Sequence, residues 1–96
     1  MADYRLTRQA AEDLREIATF SMCRFGARQA QSYGDELIST LNMLSGQPGL
    51  GSDQGHVRPE LRRYVFGSHS IYYRIIDDGI VVLRVLGPGQ DPLAQL

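Results

Sequence analysis

Residues 61–86 decide the fold: LRRYVF from Leu61, GS at Gly67–Ser68, HSIYYRII from His69, DDG at Asp77–Gly79, and IVVLRVL ending at Leu86. Three runs rich in Val, Ile, Tyr and Phe are separated by two short turn signals, which is the pattern of an antiparallel meander. Gly67 tolerates positive φ, and Asp77–Asp78–Gly79 combines side chains that cap local N–H groups with a glycine for the left-handed position. In the middle run Ile71, Tyr73 and Ile75 share one face by period two, and Tyr72, Arg74 and Ile76 share the other. Neither face is wholly polar, so both are expected to be covered at least in part.

The first half supplies the cover. Tyr4–Leu6 reads as a short first strand. Thr7 suits a helix N-cap. Ala10, Leu14, Ile17, Ser21 and Phe25 then draw one stripe on a helix over residues 8–25, with Asp13 and Glu16 placed on its outer side and Gly26 as the stop. Ala30, Tyr33, Leu37, Leu41 and Leu44 repeat at three and four in a second helix that ends by Ser45–Gly46, before Pro48. Two amphipathic helices with barely a linker make an antiparallel αα-hairpin. Residues 46–60 form a loop rich in Gly and Pro. Pro and Gly after Leu86 keep the tail from extending the last strand far. The predicted fold is α+β, in the order β-α-α-β-β-β, with the hairpin packed on a small antiparallel sheet and the first strand at the meander's edge.

Composition narrows the class. Ninety-six residues, 43% of them hydrophobic, make one domain, residues 1–96. No apolar run approaches the ~18 residues of a membrane span, and the N-terminus lacks the apolar core of a secretory signal. Cys23 is the only cysteine, which excludes an internal disulfide and fits a reducing cytoplasm. It sits one residue from the helical stripe, where a buried or half-buried small residue is expected. The net charge of −1 conceals an asymmetry, since all ten basic residues are Arg. Between His56 and Ile75, Arg58, Arg62, Arg63 and Arg74 face Glu60 alone, so the strand half is locally basic. Such a sheet can meet nucleic acid or an acidic protein, or it can be a solvated face.

No enzymatic constellation stands out. His56, His69 and Cys23 lack metal-ligand spacing, so no metal or cofactor is expected. His69 reads as a hydrogen-bonded structural residue. Ser68 and Ser70 flank it, but neighbours on a strand point to opposite faces. Gly49–Gly51 and Gly87–Gly89 lack the Lys and helix of a phosphate loop. Tyr64, Tyr72 and Tyr73 beside Arg62, Arg63 and Arg74 can stack on bases or simply fill a core. The helix stripes pack on the sheet and can also leave a groove for a partner's amphipathic helix.

The ordered set Tyr4–Thr7, Ala10, Asp13–Leu14, Ile17, Phe20–Ser21 and Phe25–Gly26 resembles the opening of ParE toxins of the RelE/ParE superfamily. Pro48 with Gly51, Leu61–Tyr64, Gly67–His69, Ile71–Arg74, Val82–Leu86, Asp91–Pro92 and Leu96 continue the resemblance over nearly the whole chain. It implies the same fold and a function that no residue pattern showed: the toxin of a bacterial toxin–antitoxin pair. Such a toxin inhibits DNA gyrase without being an enzyme, and acts in the cytoplasm. It is neutralised in a hetero-oligomer by a ParD-like antitoxin, whose largely helical C-terminal segment fills a groove between hairpin and sheet. The antitoxin's ribbon-helix-helix domain binds operator DNA, which the toxin meets only indirectly. On this reading Leu14, Ile17, Tyr33, Leu37, Leu41, Arg62, Arg63, Tyr64, Tyr73 and Arg74 are the expected antitoxin contacts. Arg84, Leu86, Asp91 and Pro92 are expected to bear on the target. Gly87–Gln90 stands where the family often has His and Arg. The alternatives are a ribosome-dependent mRNA endonuclease of the RelE type and an antitoxin-binding module without toxicity. The tail has no Tyr, His, Lys or Arg to transfer protons or stabilise a phosphorane, which argues against the endonuclease, although Arg62, Arg63 and Arg84 could form a remnant of such a site.

Overall fold

A computed structural model describes residues 3–96. The order is β1 (Asp3–Leu6), α1 (Arg8–Phe25), α2 (Ala27–Gly46), a 3₁₀ turn (Pro48–Leu50), β2 (Ser52–Asp53), β3 (Arg62–Phe66), β4 (His69–Ile76), β5 (Gly79–Leu86) and α3 (Pro92–Gln95). The fold is α+β, a helical hairpin on one five-stranded sheet of order β1-β5-β4-β3-β2.

The predicted turns and caps form for the stated reasons. Thr7 is extended, and its Oγ1 accepts from the Ala10 N–H at 3.1 Å. Gly26, at φ 88°, closes α1 and opens α2 in a single residue. Because the linker is one residue long, the helices fold back antiparallel.

Three features differ from expectation. The sheet is mixed rather than antiparallel, since β1 pairs with β5 in parallel, Tyr4 opposite Ile80 and Leu6 opposite Val82. The chain between them, both helices and strands β2–β4, is ample for the crossover that a parallel pair requires. The loop after α2 contributes a fifth strand, β2, opposite Arg62 and Arg63. The tail turns back as α3, where Asp91 accepts from the Leu93 N–H at 3.0 Å and Pro92 takes the first helical position.

The main core lies between hairpin and sheet. Ala10, Leu37, Leu41 and Leu44 meet Ile71, Tyr73, Ile80, Val82 and Val85, with Tyr4, Leu14, Ile17, Tyr64 and Phe66 packed at its margin. The second face is covered as well: Leu61, Tyr72 and Leu86 cluster with Val57, Leu83 and the tail's Leu96. A bulge in β5 divides its apolar run between the two. Tyr73 pairs with Val82 and Tyr72 with Arg84, which leaves Leu83 as the extra residue. Alternation restarts there, so Val85 returns to the main core and Leu86 to the second cluster. Thr7 stitches the bulge to the start of α1, donating to the Val82 and Leu83 carbonyls at 3.1 and 2.8 Å.

Two side chains sit elsewhere than expected. Asp13 is buried rather than on the outer side of α1, because Arg84 reaches it from the bulge. Cys23 is exposed, as are Met22, Arg24 and Phe25 around it at the end of α1.

Candidate functional site

The middle of the layer between hairpin and sheet is filled, and the openings lie along the hairpin's own seam and at its turn end. Leu14 and Ile17 of α1, with Ala30, Tyr33 and Leu37 of α2, flank a cleft of about 220 Å³. Gly34 keeps it open, since nothing stands within 4 Å of where its Cβ would be. At the turn end Phe20 and Phe25 are 61% and 52% exposed. They border a second opening of about 300 Å³ that Tyr33 and His69 also line. Seam and opening share Tyr33, so the apolar surface is continuous across both.

Tyr33 is held from two sides. Its ring lies 5.0 Å from that of Phe66, tilted by 59°. Its hydroxyl meets His69 Nδ1 at 2.6 Å. Burial pushes the Tyr33 hydroxyl above the ordinary tyrosine value and holds His69 below the ordinary histidine value. Burial thus favours the neutral imidazole, which shares one hydrogen bond with the Tyr33 hydroxyl through Nδ1 and places Nε2 beside Gly87. His69 is a hydrogen-bonded structural residue, as read from the sequence. A small cavity of about 130 Å³ joins it to Asp13, Glu16 and Gln90.

The arginines of the strand half fall into distinct roles. Arg84 Nε and Nη2 donate to the two carboxylate oxygens of Asp13 at 2.8 and 2.9 Å, and the Val85 N–H donates to the same carboxylate at 2.9 Å. That bidentate bond raises the Arg84 pKa further. Its Nη1 reaches the Gln95 side chain at 3.1 Å and so ties α3 to the sheet. Arg62 Nη2 donates to the Gly51 and Gly49 carbonyls at 2.6 and 3.2 Å. Arg74 stands 3.8 Å from Glu60 on the surface. Arg63 Nε donates to Ser70 Oγ at 3.0 Å and has no carboxylate partner among the described residues.

The expected contact residues are thus spread over several environments. Leu14, Ile17 and Tyr33 reach the open seam. Leu37, Leu41 and Tyr73 are buried, and Tyr64 packs at the core's margin. Tyr73 is tied down further: its O–H donates to the Pro48 carbonyl at 2.6 Å and accepts from the Gly51 N–H at 2.8 Å. Leu86 is buried in the second cluster, while Asp91 and Pro92 begin α3. Arg84 and Leu86 therefore act within the chain and present little surface to a target; a continuous apolar run gave no sign of the bulge that turns Arg84 toward Asp13. Of the two residues the sequence reading misplaced, Asp13 is the one that belongs to this site. Ala10, Asp13, Leu14, Ile17 and Ser21 keep helical spacing, so a carboxylate on the stripe and an arginine within an apolar strand were the available signal. Among the described residues no group of three His, Cys, Asp or Glu could hold a metal ion, and no helix is long and apolar enough to cross a membrane.

This arrangement matches, over residues 4–92, the family model described as ParE toxin of type II toxin-antitoxin system, parDE. The chain belongs to the ParE toxin family. Toxin ParE1 of Caulobacter vibrioides is 38% identical over 96 residues, covering 100% of this chain and 99% of that one. Toxin ParE1 of Mycobacterium tuberculosis is 33% identical over 89 residues, 92% of this chain and 91% of its own. Among solved structures, a chain of a chromosomal ParDE TA system from P. aeruginosa superposes with TM-score 0.76 at 21% identity, covering 91% of this chain and 96% of that one. That likeness is one of fold, a helical hairpin on a small sheet.

Proposed function

We propose that this member of the ParE family inhibits DNA gyrase without catalysing a reaction. A ParD-like antitoxin restrains it in a cytoplasmic hetero-oligomer, and operator DNA is contacted through the antitoxin's ribbon-helix-helix domain. The observation that carries the antitoxin half of this reading is the continuous apolar surface from Leu14, Ile17 and Tyr33 to Phe20 and Phe25. A helix with apolar residues at three- and four-residue spacing can lay one face along the seam and cap the two phenylalanines. Desolvated aromatic anchors supply most of the affinity of such an interface, and exposed arginines such as Arg74 adjust its rim.

The test uses purified chain in a gyrase supercoiling assay beside a translation-coupled transcript-cleavage assay. The expected result is loss of supercoiling, restored by the antitoxin, with intact transcript. Cleaved transcript with normal supercoiling would establish the endonuclease alternative instead. Normal growth on induction without antitoxin would establish the non-toxic binding module.

A further inference from the structure

We propose that Gly34 and Ser21 set the partner selectivity of the hairpin seam. The antitoxin's helix crosses the hairpin most closely at Gly34, and it brings to the Ser21 hydroxyl one side chain with an apolar stem and a hydrogen-bonding end. This rests on the antitoxin reading above, and adds to it the point of closest approach and the chemistry required there.

Gly34 stands inside α2, where glycine weakens a helix relative to alanine. The fold itself makes no demand for glycine there. Its φ is not positive, and no atom of the chain comes within 4 Å of where a Cβ would stand. Gly79 and Gly51 differ, since the Asp3 backbone and the Tyr73 ring press against theirs. A glycine at which the chain neither turns nor packs leaves room for a backbone from outside. Ala18 lies as far before Gly26 as Gly34 lies after it, so the two stand level across the antiparallel hairpin. Both sides of the cleft are therefore low at that level, and small side chains at a crossing let helix axes approach.

Ser21 is a second, independent observation. It is 7% exposed and, like Tyr33, lines both the seam and the turn-end opening. Its hydroxyl makes no hydrogen bond among the described residues. It is also not one of the polar atoms sealed from solvent without a partner, so the hydroxyl faces the cleft. A helix laid over the seam removes the water that still reaches it. A wholly apolar face would leave the hydroxyl unpaired at a cost, whereas a polar-ended side chain satisfies it. A serine hydroxyl both donates and accepts, so the demand is for a hydrogen-bonding end and not for a charge. Selectivity then has two parts: Gly34 admits only a close crossing, and Ser21 penalises a partner that lacks the polar end.

The experiment measures binding of the full chain to the full-length antitoxin, separated from their co-expressed complex, by calorimetry, beside thermal unfolding of each variant alone. Gly34→Ala should raise the melting temperature by a few degrees, because alanine is the better helix former and meets no clash in the chain. It should weaken antitoxin binding about tenfold, the effect of one methyl group forced into a packed interface. Ser21→Ala should leave the melting temperature unchanged and weaken binding about fivefold, the loss of one neutral hydrogen bond. Leu93→Ser, on α3 and outside the seam, should change neither. Opposite signs in stability and affinity distinguish a contact from a structural glycine. A lower melting temperature for Gly34→Ala, or binding within twofold of the parent by either variant, overturns the proposal and leaves the antitoxin reading standing. No binding by the parent chain overturns both.

Discussion

Asp13 shows how one carboxylate can join three parts of a chain. It sits on α1, receives both arms of Arg84 and the Val85 N–H, and through Arg84 reaches Gln95 of α3. Removing one member leaves the other charged and unpaired, and that penalty exceeds the net worth of the pair. Asp13 borders a small cavity that Glu16 and Gln90 also line, so the cost is set below that of a deeply buried pair. Asp13→Asn should lower unfolding stability by about 2–4 kcal/mol in urea titration, and Arg84→Gln by a similar amount. The double variant should lose less than the sum of the two; strict additivity would show that the groups are not coupled. His69 sets a second expectation, in pH. Its folded-state pKa lies below the ordinary value, so the unfolded chain takes up the proton first as pH falls. This contribution is complete above about pH 6.5, the unfolded value, and is lost as pH drops through the folded value. Melting temperature should therefore fall between pH 7.5 and 5, and His69→Gln should fall less over the same range. Parallel curves for the two proteins would remove His69 from the account.

At the scale of elements, two glycines permit close approaches, one at the start of β5 and one in the loop after α2. Gly79 has φ 151°, and a Cβ there would fall on the Asp3 backbone at the start of the parallel pair. Gly79→Ala should therefore cost more than about 1 kcal/mol, and hydrogen exchange should show Tyr4 and Leu6 amides losing protection before those of β4. Unchanged protection across β1 would mean that the strand tolerates the displacement. Gly51 meets a different constraint, a Cβ that would collide with the Tyr73 ring and hydroxyl. The loop after α2 is thereby pinned to the sheet by a tyrosine otherwise enclosed in the core. Helix and strand limits were legible to within a residue or two, because apolar spacing and the glycine stops at Gly26, Gly67 and Gly79 are local signals. The parallel pairing of β1, strand β2 and the bulge at Leu83 were not legible, because each depends on contacts between residues remote in sequence.

For the whole molecule, the decisive property is where apolar surface is left uncovered. The tail and Leu61–Tyr72–Leu86 close the second face, and the hairpin closes the first. Phe20 and Phe25 remain outside both clusters. In a small domain such a contiguous aromatic surface marks a partner's place. The double substitution Phe20→Ser with Phe25→Ser should reduce antitoxin affinity about a hundredfold, since two hot-spot anchors are removed. Melting temperature should change little, because neither side chain is buried. Affinity within twofold of the parent in calorimetry would move the interface to another surface.

Of the candidate site, the sequence identified Leu14, Ile17 and Tyr33 by helical spacing and His69 as structural. It could not divide seam from core, since Leu37 and Leu41 carry the same periodicity and yet are buried. Periodicity records which face of an element is apolar, and turn chemistry records where it ends; both are properties of a few adjacent residues, and they determined the α+β order. Which apolar residues are covered, which arginine is neutralised and which faces a cavity depend on side chains brought together from opposite ends of the chain. Asp13 and Arg84 are 71 residues apart, so only tertiary structure could decide that they meet and that Arg63 does not find such a partner.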